Sequence, residues 1–274
     1  DLLDTYLDAI VARAPENAPL APDFRSTENA MEVAPGAGVW ASVTGLGALQ
    51  RRYADPETHQ AVYVGLVGEG QATSVASLRI RAEGGLISEA EWVIARQGNP
   101  AGFIGNPPPE ALVNGGAREA AIAAADSYFD GIEMADGGGV IAYPDCFRIA
   151  NGTWTVGRIP DRPPVDQTEA QPGFNTALVQ GPTAACIGGF QRLGIQSVSN
   201  RRYLYDEQAG MLWGGAVLER PDDAADDQGR ALPWVYVSNL FQIEDGRIRG
   251  IYSTTVSLPG EIRTSGWPDD TATP

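Results

Sequence analysis

Apolar residues recur at helical spacing in two places along the chain. Leu2, Leu3, Tyr6, Leu7, Ile10 and Val11 line one face of residues 1–13, and Ile122, Tyr128, Phe129 and Ile132 line one face of 118–134. Elsewhere the pattern has the short runs and alternation of strands. It predicts strands over 62–67, 75–80 and 89–94, and again over 211–218, 234–243 and 248–256. Glu83-Gly84-Gly85 and Glu244-Asp245-Gly246 read as hairpin turns, because glycine reaches positive φ without steric cost. After each helix a Pro/Ala-rich segment leads to a short strand ending at Asn29 or Asn151, followed by Trp40 or Trp154.

The same order of elements occurs twice, and the residues repeat with it. Asp4, Tyr6, Asp8, Ile10, Pro22, Asp23 and Asn29 recur 122 positions later as Asp126, Tyr128, Asp130, Ile132, Pro144, Asp145 and Asn151. Arg51-Arg52-Tyr53 returns as Arg201-Arg202-Tyr203, and the two glycine hairpins form a third echo. A repeat this long is a whole domain, not a solenoid unit. The expected organisation is a first domain over 1–96, a linker over 97–117 and a second domain over 118–258. The second domain carries an inserted, proline-rich loop at 156–185, and 259–274 reads as a frayed C-terminal tail. The acidic segment 221–230 reads as a solvated loop.

Composition narrows the chemistry. All 19 cationic residues are arginine, so an amine that forms Schiff bases is absent. His59 is the single histidine, which argues against a histidine-built zinc or iron site, and no Gly-rich phosphate loop ends in lysine. The expectation is that no cofactor and no metal is used. A net charge of −16 opposes nucleic acid and anionic membrane surfaces. No apolar run reaches the ~20 residues of a membrane span. Cys146 and Cys186 are either a bridge formed in an oxidising compartment or two buried thiols. The chain begins at Asp1 and not Met, which suggests a preceding segment; cytoplasmic and exported locations both stay open.

Thr27-Glu28-Asn29 with Gly36-x-Gly38-x-Trp40, and Asp145-Cys146-x-Arg148-x-x-Asn151-Gly152, resemble the nuclear transport factor 2-like (SnoaL-like) superfamily, in a tandem two-repeat form. The superfamily includes polyketide cyclases, ketosteroid isomerases, scytalone dehydratases, limonene-epoxide hydrolases and lyases that release formaldehyde from lignin-derived diarylpropanes. The resemblance implies an α+β fold of two tandem cone-shaped domains, each a curved antiparallel sheet wrapped around N-terminal helices. It also implies a mostly apolar cavity for a small molecule, with a few polar groups that move protons.

Several residues are candidates for that work. Tyr6 and Tyr128 sit on the first helix of each repeat, where related isomerases place an oxyanion donor; a core tyrosine is the competing reading. Glu28 is a candidate base and becomes Ala150 in the second repeat. Asn29 and Asn151 are substrate contacts or strand-end clamps. His59 titrates near neutrality but falls on a hairpin tip. Arg79 with Glu91 makes a cross-strand acid–base pair or an ion pair. Arg148 and Tyr203 are further substrate contacts, and Arg51, Arg52, Arg201 and Arg202 are clamps or partners of Asp55 and Asp206. Trp40 and the other tryptophans line a pocket or fill the core. The first repeat is expected to hold the working pocket, with Tyr6, Glu28, Asn29, Trp40, Arg79 and Glu91 drawn toward it.

The expected function is a cofactor-independent carbon–carbon lyase using acid–base chemistry on a bulky aromatic molecule, such as a 1,2-diarylpropane-1,3-diol. The alternatives are an isomerase or dehydratase of polyketide type, or a non-catalytic module that binds a small molecule or a protein. A homo-oligomer is also open.

Overall fold

A computed structural model describes residues 1–111, 114–156 and 186–267 of the chain. Two six-stranded sheets form, one from each half. The first lobe contains helix α1 (Leu2–Ala12), the short α2 (Val39–Ser42) and strands β1 (Leu20–Glu28), β2 (Met31–Glu32), β3 (Gly45–Asp55), β4 (Gln60–Glu69), β5 (Ala72–Glu83) and β6 (Leu86–Ala95). A short helix, α3 (Pro100–Gly105), leads to the second lobe. There α4 (Arg118–Glu133) precedes β7 (Ala142–Ala150), β8 (Thr153–Val156), β9 (Ser197–Asp206), β10 (Met211–Glu219), β11 (Val235–Glu244) and β12 (Arg247–Ser257). The sheet orders are β2-β1-β6-β5-β4-β3 and β8-β7-β12-β11-β10-β9, the same path drawn twice. Neighbours are antiparallel except β1 with β6 and β7 with β12, which run parallel, so each sheet is mixed.

Local chemistry explains the element ends. The Asp1 carboxylate accepts from Asp4 N–H and starts α1, and Arg13 in the left-handed region (φ 55°) ends it. Leu3, Tyr6, Leu7 and Ile10 are buried, as helical spacing requires. Gly84 and Gly85 (φ 58° and 83°) turn β5 into β6, and Asp245 and Gly246 (φ 49° and 70°) turn β11 into β12.

Three cores result. One lies between α1 and the inner face of the first sheet, through Leu78, Ala90 and Trp92. A second lies under α4, with Phe129, Phe190 and Phe241. The third joins the outer faces of the two sheets: Tyr53, Val62, Val64 and Val75 pack with Phe147, Leu204, Trp213 and Tyr252. The lobes are therefore stacked sheet to sheet, with their helices outermost. Asp55 fastens the stack. Its carboxylate accepts two hydrogen bonds from Arg118 (2.9 and 2.6 Å) and one from Tyr205 N–H (3.1 Å).

Two expectations change and one open alternative is resolved. The stretch 97–117 is not a bare linker where described: it forms α3, buries Phe103 between the lobes, and supplies the Pro108 and Pro109 carbonyls to Arg51 and Tyr53. Residues 259–267 are not frayed. Ser265 and Trp267 are buried, and the Trp267 indole donates to Thr27 Oγ1 (2.9 Å). Cys146 and Cys186 are bridged, with Cα atoms 5.1 Å apart. Apart from Val156 at the end of β8, the inserted loop at 156–185 lies outside the described residues.

Candidate active site

Side-chain parity decides which groups meet. On β5, Ala76, Leu78 and Ile80 face α1, while Val75 faces the second lobe. The register pairs Leu78 with Trp92 and Trp92 with Glu28, which places Glu28 and Trp92 on the α1 side. Arg79 and Glu91, one position away on their strands, point to the opposite side.

On the α1 side a compact constellation forms. The Tyr6 ring meets Trp40 edge-on, with centroids 5.3 Å apart, and Phe24 at 6.2 Å. Trp40, on α2, is brought in by the glycine-rich turn before it: Gly38 has φ +55°, and a Cβ there would lie 2.6 Å from Glu28 Oε2. Glu28 Oε1 accepts from Arg96 Nη2 (2.6 Å), and Arg96 also binds Glu69. Burial acts to raise the Glu69 carboxyl, but Arg96, Ser42 and Ser74 outweigh it and hold it below its ordinary value.

Among the described residues, Tyr6 Oη, Trp40 Nε1, Trp92 Nε1 and Glu28 Oε2 are buried with no hydrogen-bond partner. Each such group costs about 1–3 kcal/mol of lost hydration. Burial pushes the Tyr6 phenol well above its ordinary value, against a smaller lowering by the nearby Trp92 indole, which stands outside hydrogen-bonding geometry. Tyr6 therefore stays protonated and is a donor. Three unpaired donors and one unpaired carboxylate oxygen in an aromatic core can stabilise negative charge on a substrate oxygen and accept a proton.

The remaining candidates of the first repeat separate from this group. Arg79 and Glu91 lie between the lobes. Arg79 donates to Glu91 (2.7 Å), Glu89 (2.7 Å) and Gln60 (2.8 Å), and Glu91 also accepts from Arg202 of the second lobe. The cause is the one-residue alternation of β5 and β6: with Leu78, Ala90 and Trp92 turned to α1, their neighbours must face the other sheet. Asn29 closes a turn. It has φ 50°, accepts from Ile94 N–H (2.8 Å) and donates to the Ile94 carbonyl (3.3 Å). His59 is exposed at the β3–β4 tip (φ 54°), where it borders an open pocket of about 570 Å³ that also touches Asp55, Gln60, Leu3 and Ile80. Tyr6 and Glu28 do not line that pocket.

In the second lobe, Tyr128 accepts from Arg148 Nη1 (2.8 Å). Asn151 clamps Thr255 as Asn29 clamps Ile94, with bonds of 2.8 and 2.9 Å. Tyr203 donates to Asp126 (2.6 Å) and ties β9 to α4. Among the described residues, the ion pairs of the paired arginines go to groups other than Asp55 and Asp206. Arg52 takes Asp4, Arg51 takes Glu110, Arg201 takes Asp126 and Asp130, and Arg202 takes Glu91. Trp92, one of the tryptophans expected to line a pocket or fill the core, joins the α1-side constellation through its alternation with Glu91 on the strand that pairs with Glu28.

The family described as "Domain of unknown function (DUF8021)" matches residues 115–255, just over half of the chain. The chain belongs to that family. The DUF8021 match covers the second lobe from α4 to β12, while the unpaired constellation lies in the first. No curated protein matches the chain. Among solved structures, a protein from Sphaerobacter thermophilus is similar at 17% identity and a TM-score of 0.29, over 34% of this chain and 93% of that one. An NTF2-like protein of unknown function from Cytophaga hutchinsonii is similar at 13% identity and a TM-score of 0.27, over 38% of this chain and 92% of that one. Among the described residues, no helix of this DUF8021 protein is long and apolar enough to cross a membrane, and no His/Cys/Asp/Glu group is placed to hold a metal ion.

Proposed function

We propose that the first lobe performs acid–base catalysis on a bulky aromatic small molecule, as a carbon–carbon lyase that needs no cofactor. One observation carries this reading: among the described residues, Tyr6, Trp40 and Trp92 hold three buried, unpaired donors in the core under α1, and the unpaired oxygen of Glu28 lies on the same side of the sheet. The second lobe supports it by contrast, since Tyr128 there is already bonded and Ala150 replaces Glu28.

For a para-hydroxylated 1,2-diarylpropane-1,3-diol the steps balance without an oxidant. Loss of water, made from the benzylic hydroxyl and the phenolic proton, gives a quinone methide. Glu28 then takes the proton of the terminal CH2OH. The carbon–carbon bond breaks, its electrons restore the aromatic ring, and formaldehyde departs. Negative charge returns to the phenolic oxygen, where the Tyr6 hydroxyl and the two indole N–H groups stabilise it. A proton on that oxygen completes a stilbene. The same groups serve an isomerase or dehydratase, and the products tell these apart.

The test is incubation of the purified protein with such a diol, reading stilbene absorbance and free formaldehyde. Wild-type turnover with at least a ~100-fold loss in Glu28→Gln is expected for a general base. No turnover by the wild type, or full turnover by the variant, overturns the lyase reading.

A further inference from the structure

The second lobe contains a buried cation whose charge no group among the described residues balances. Arg79 and Arg202, both deep in the protein, each hold the carboxylate of Glu91. Arg148 is 8% exposed, yet it makes no ion pair among the described residues. Its Nε donates to Thr155 Oγ1 (3.0 Å) and its Nη1 to Tyr128 Oη (2.8 Å), while Nη2 has no hydrogen bond there. Both partners are neutral oxygens. They satisfy individual N–H groups but leave the positive charge uncompensated, a costly arrangement in a low-dielectric interior.

The two neutral partners are also oriented. Thr155 gives its own proton to the Arg148 carbonyl (3.0 Å), so its oxygen can only accept from the guanidinium. Tyr128 accepts from Arg148, and its own hydroxyl proton finds no acceptor among the described residues. Nη2 of Arg148 and the Tyr128 hydroxyl are thus two neighbouring unused donors, one of them charged. A carboxylate, with two acceptor oxygens and one negative charge, complements that pair. The surroundings of the pair are aromatic. The Tyr128 ring is held edge-on by Phe190 (5.3 Å), Phe241 (5.5 Å) and Phe129 (6.0 Å). Ala150 stands where the first lobe has Glu28, so no acid from that strand position competes for the cation.

We propose that Arg148 and Tyr128 form a binding site in the second lobe for the carboxylate of an aromatic acid. This site is separate from the first-lobe constellation and does not rest on the lyase reading.

Benzoate and its neutral isostere benzamide test it, by calorimetric titration and thermal shift on the full chain. Benzoate should bind one equivalent and raise Tm, with benzamide at least ~10-fold weaker. Arg148→Met should lose at least ~10-fold in benzoate affinity while keeping its circular dichroism, because removing an uncompensated buried charge spares the fold. Tyr128→Phe keeps the ring, removes one donor, and should weaken benzoate relative to benzamide; it carries the test alone if Arg148→Met does not fold. Three outcomes each overturn the proposal: no benzoate binding at millimolar concentration, equal binding of benzamide, or undiminished benzoate binding in the folded variants. Acetate binding as tightly as benzoate overturns the aromatic part.

Discussion

Gly38 lies directly against the Glu28 carboxylate, so close that a Cβ at this position would stand 2.6 Å from Oε2 and 2.7 Å from Val33 Cγ1. The positive φ at Gly38 compounds the constraint, because an L side chain there is strained even where space exists. Gly38→Ala should therefore cost about 1–3 kcal/mol of stability. It should also displace Glu28 and lower turnover. Chemical denaturation together with the diol assay measures both, and an alanine variant with unchanged stability would refute the close packing.

Tyr6→Phe separates function from folding. The hydroxyl has no partner among the described residues, so its removal should leave stability unchanged or raise it by up to about 1–3 kcal/mol, while the lost donor should slow turnover at least ~10-fold. A large drop in stability would mean that the hydroxyl is bonded in solution, and the constellation would lose its main member.

Glu91 should behave in the opposite way. It is shared by Arg79 and Arg202 between the lobes, and Glu91→Ala leaves two buried guanidinium groups facing one another. A loss of about 3–5 kcal/mol is expected. Urea unfolding of the variant, compared with the wild type, reads this directly.

Acid should loosen the lobes through Asp55. Burial acts to raise its carboxyl, but the Arg118 hydrogen bonds and the Tyr205 backbone N–H outweigh it and hold the pKa below its ordinary value. A depressed folded-state pKa contributes stability that is complete above the unfolded value. That stability disappears as pH falls below about 4 and through the folded value. Stability measured from pH 6 to pH 2 should fall with a slope that Asp55→Asn reduces; an unchanged slope would exclude Asp55 as a cause.

Reduction should cost more than a surface change. The Cys146–Cys186 bridge closes a loop of about 40 residues, which corresponds to roughly 4 kcal/mol in the chain-entropy treatment. Melting with and without a reductant checks the size. The protein should accordingly be more stable when made in a compartment that oxidises thiols.

Much of the fold was legible because period and turn chemistry are local properties. The apolar spacing marked α1 and α4, and the glycine turns marked the hairpins at 84–85 and 245–246. The repeated Asn29 and Asn151 pointed to one conformation used twice, and both close equivalent turns near φ 50°. The meeting of Tyr6, Glu28 and Trp40 was partly legible, since repeat position set them apart. The facing of Arg79 and Glu91 was not, because alternation fixes which residues share a side but not which side is inward. That choice is made by α1 covering Leu78 and Trp92. Arg202, 111 residues from Glu91, gave no local sign of its partner. The parallel pairing of β1 with β6 was equally hidden, because it joins strands separated by the rest of the lobe.

The hydrogen bond from Trp267 to Thr27 sets an order of events during synthesis. Thr27 belongs to a strand made early, and its partner follows 240 residues later. Trp267 also stacks over Arg25 (4.7 Å) and Arg79 (5.4 Å), so it covers the same face of the first sheet. Until those late residues leave the ribosome, that face lacks both its tryptophan cover and the second lobe against which it packs. The nascent first lobe therefore presents an apolar sheet, with a cluster of charge on it, to whatever holds nascent chains. Burial of the first sheet and completion of the second half are therefore one event.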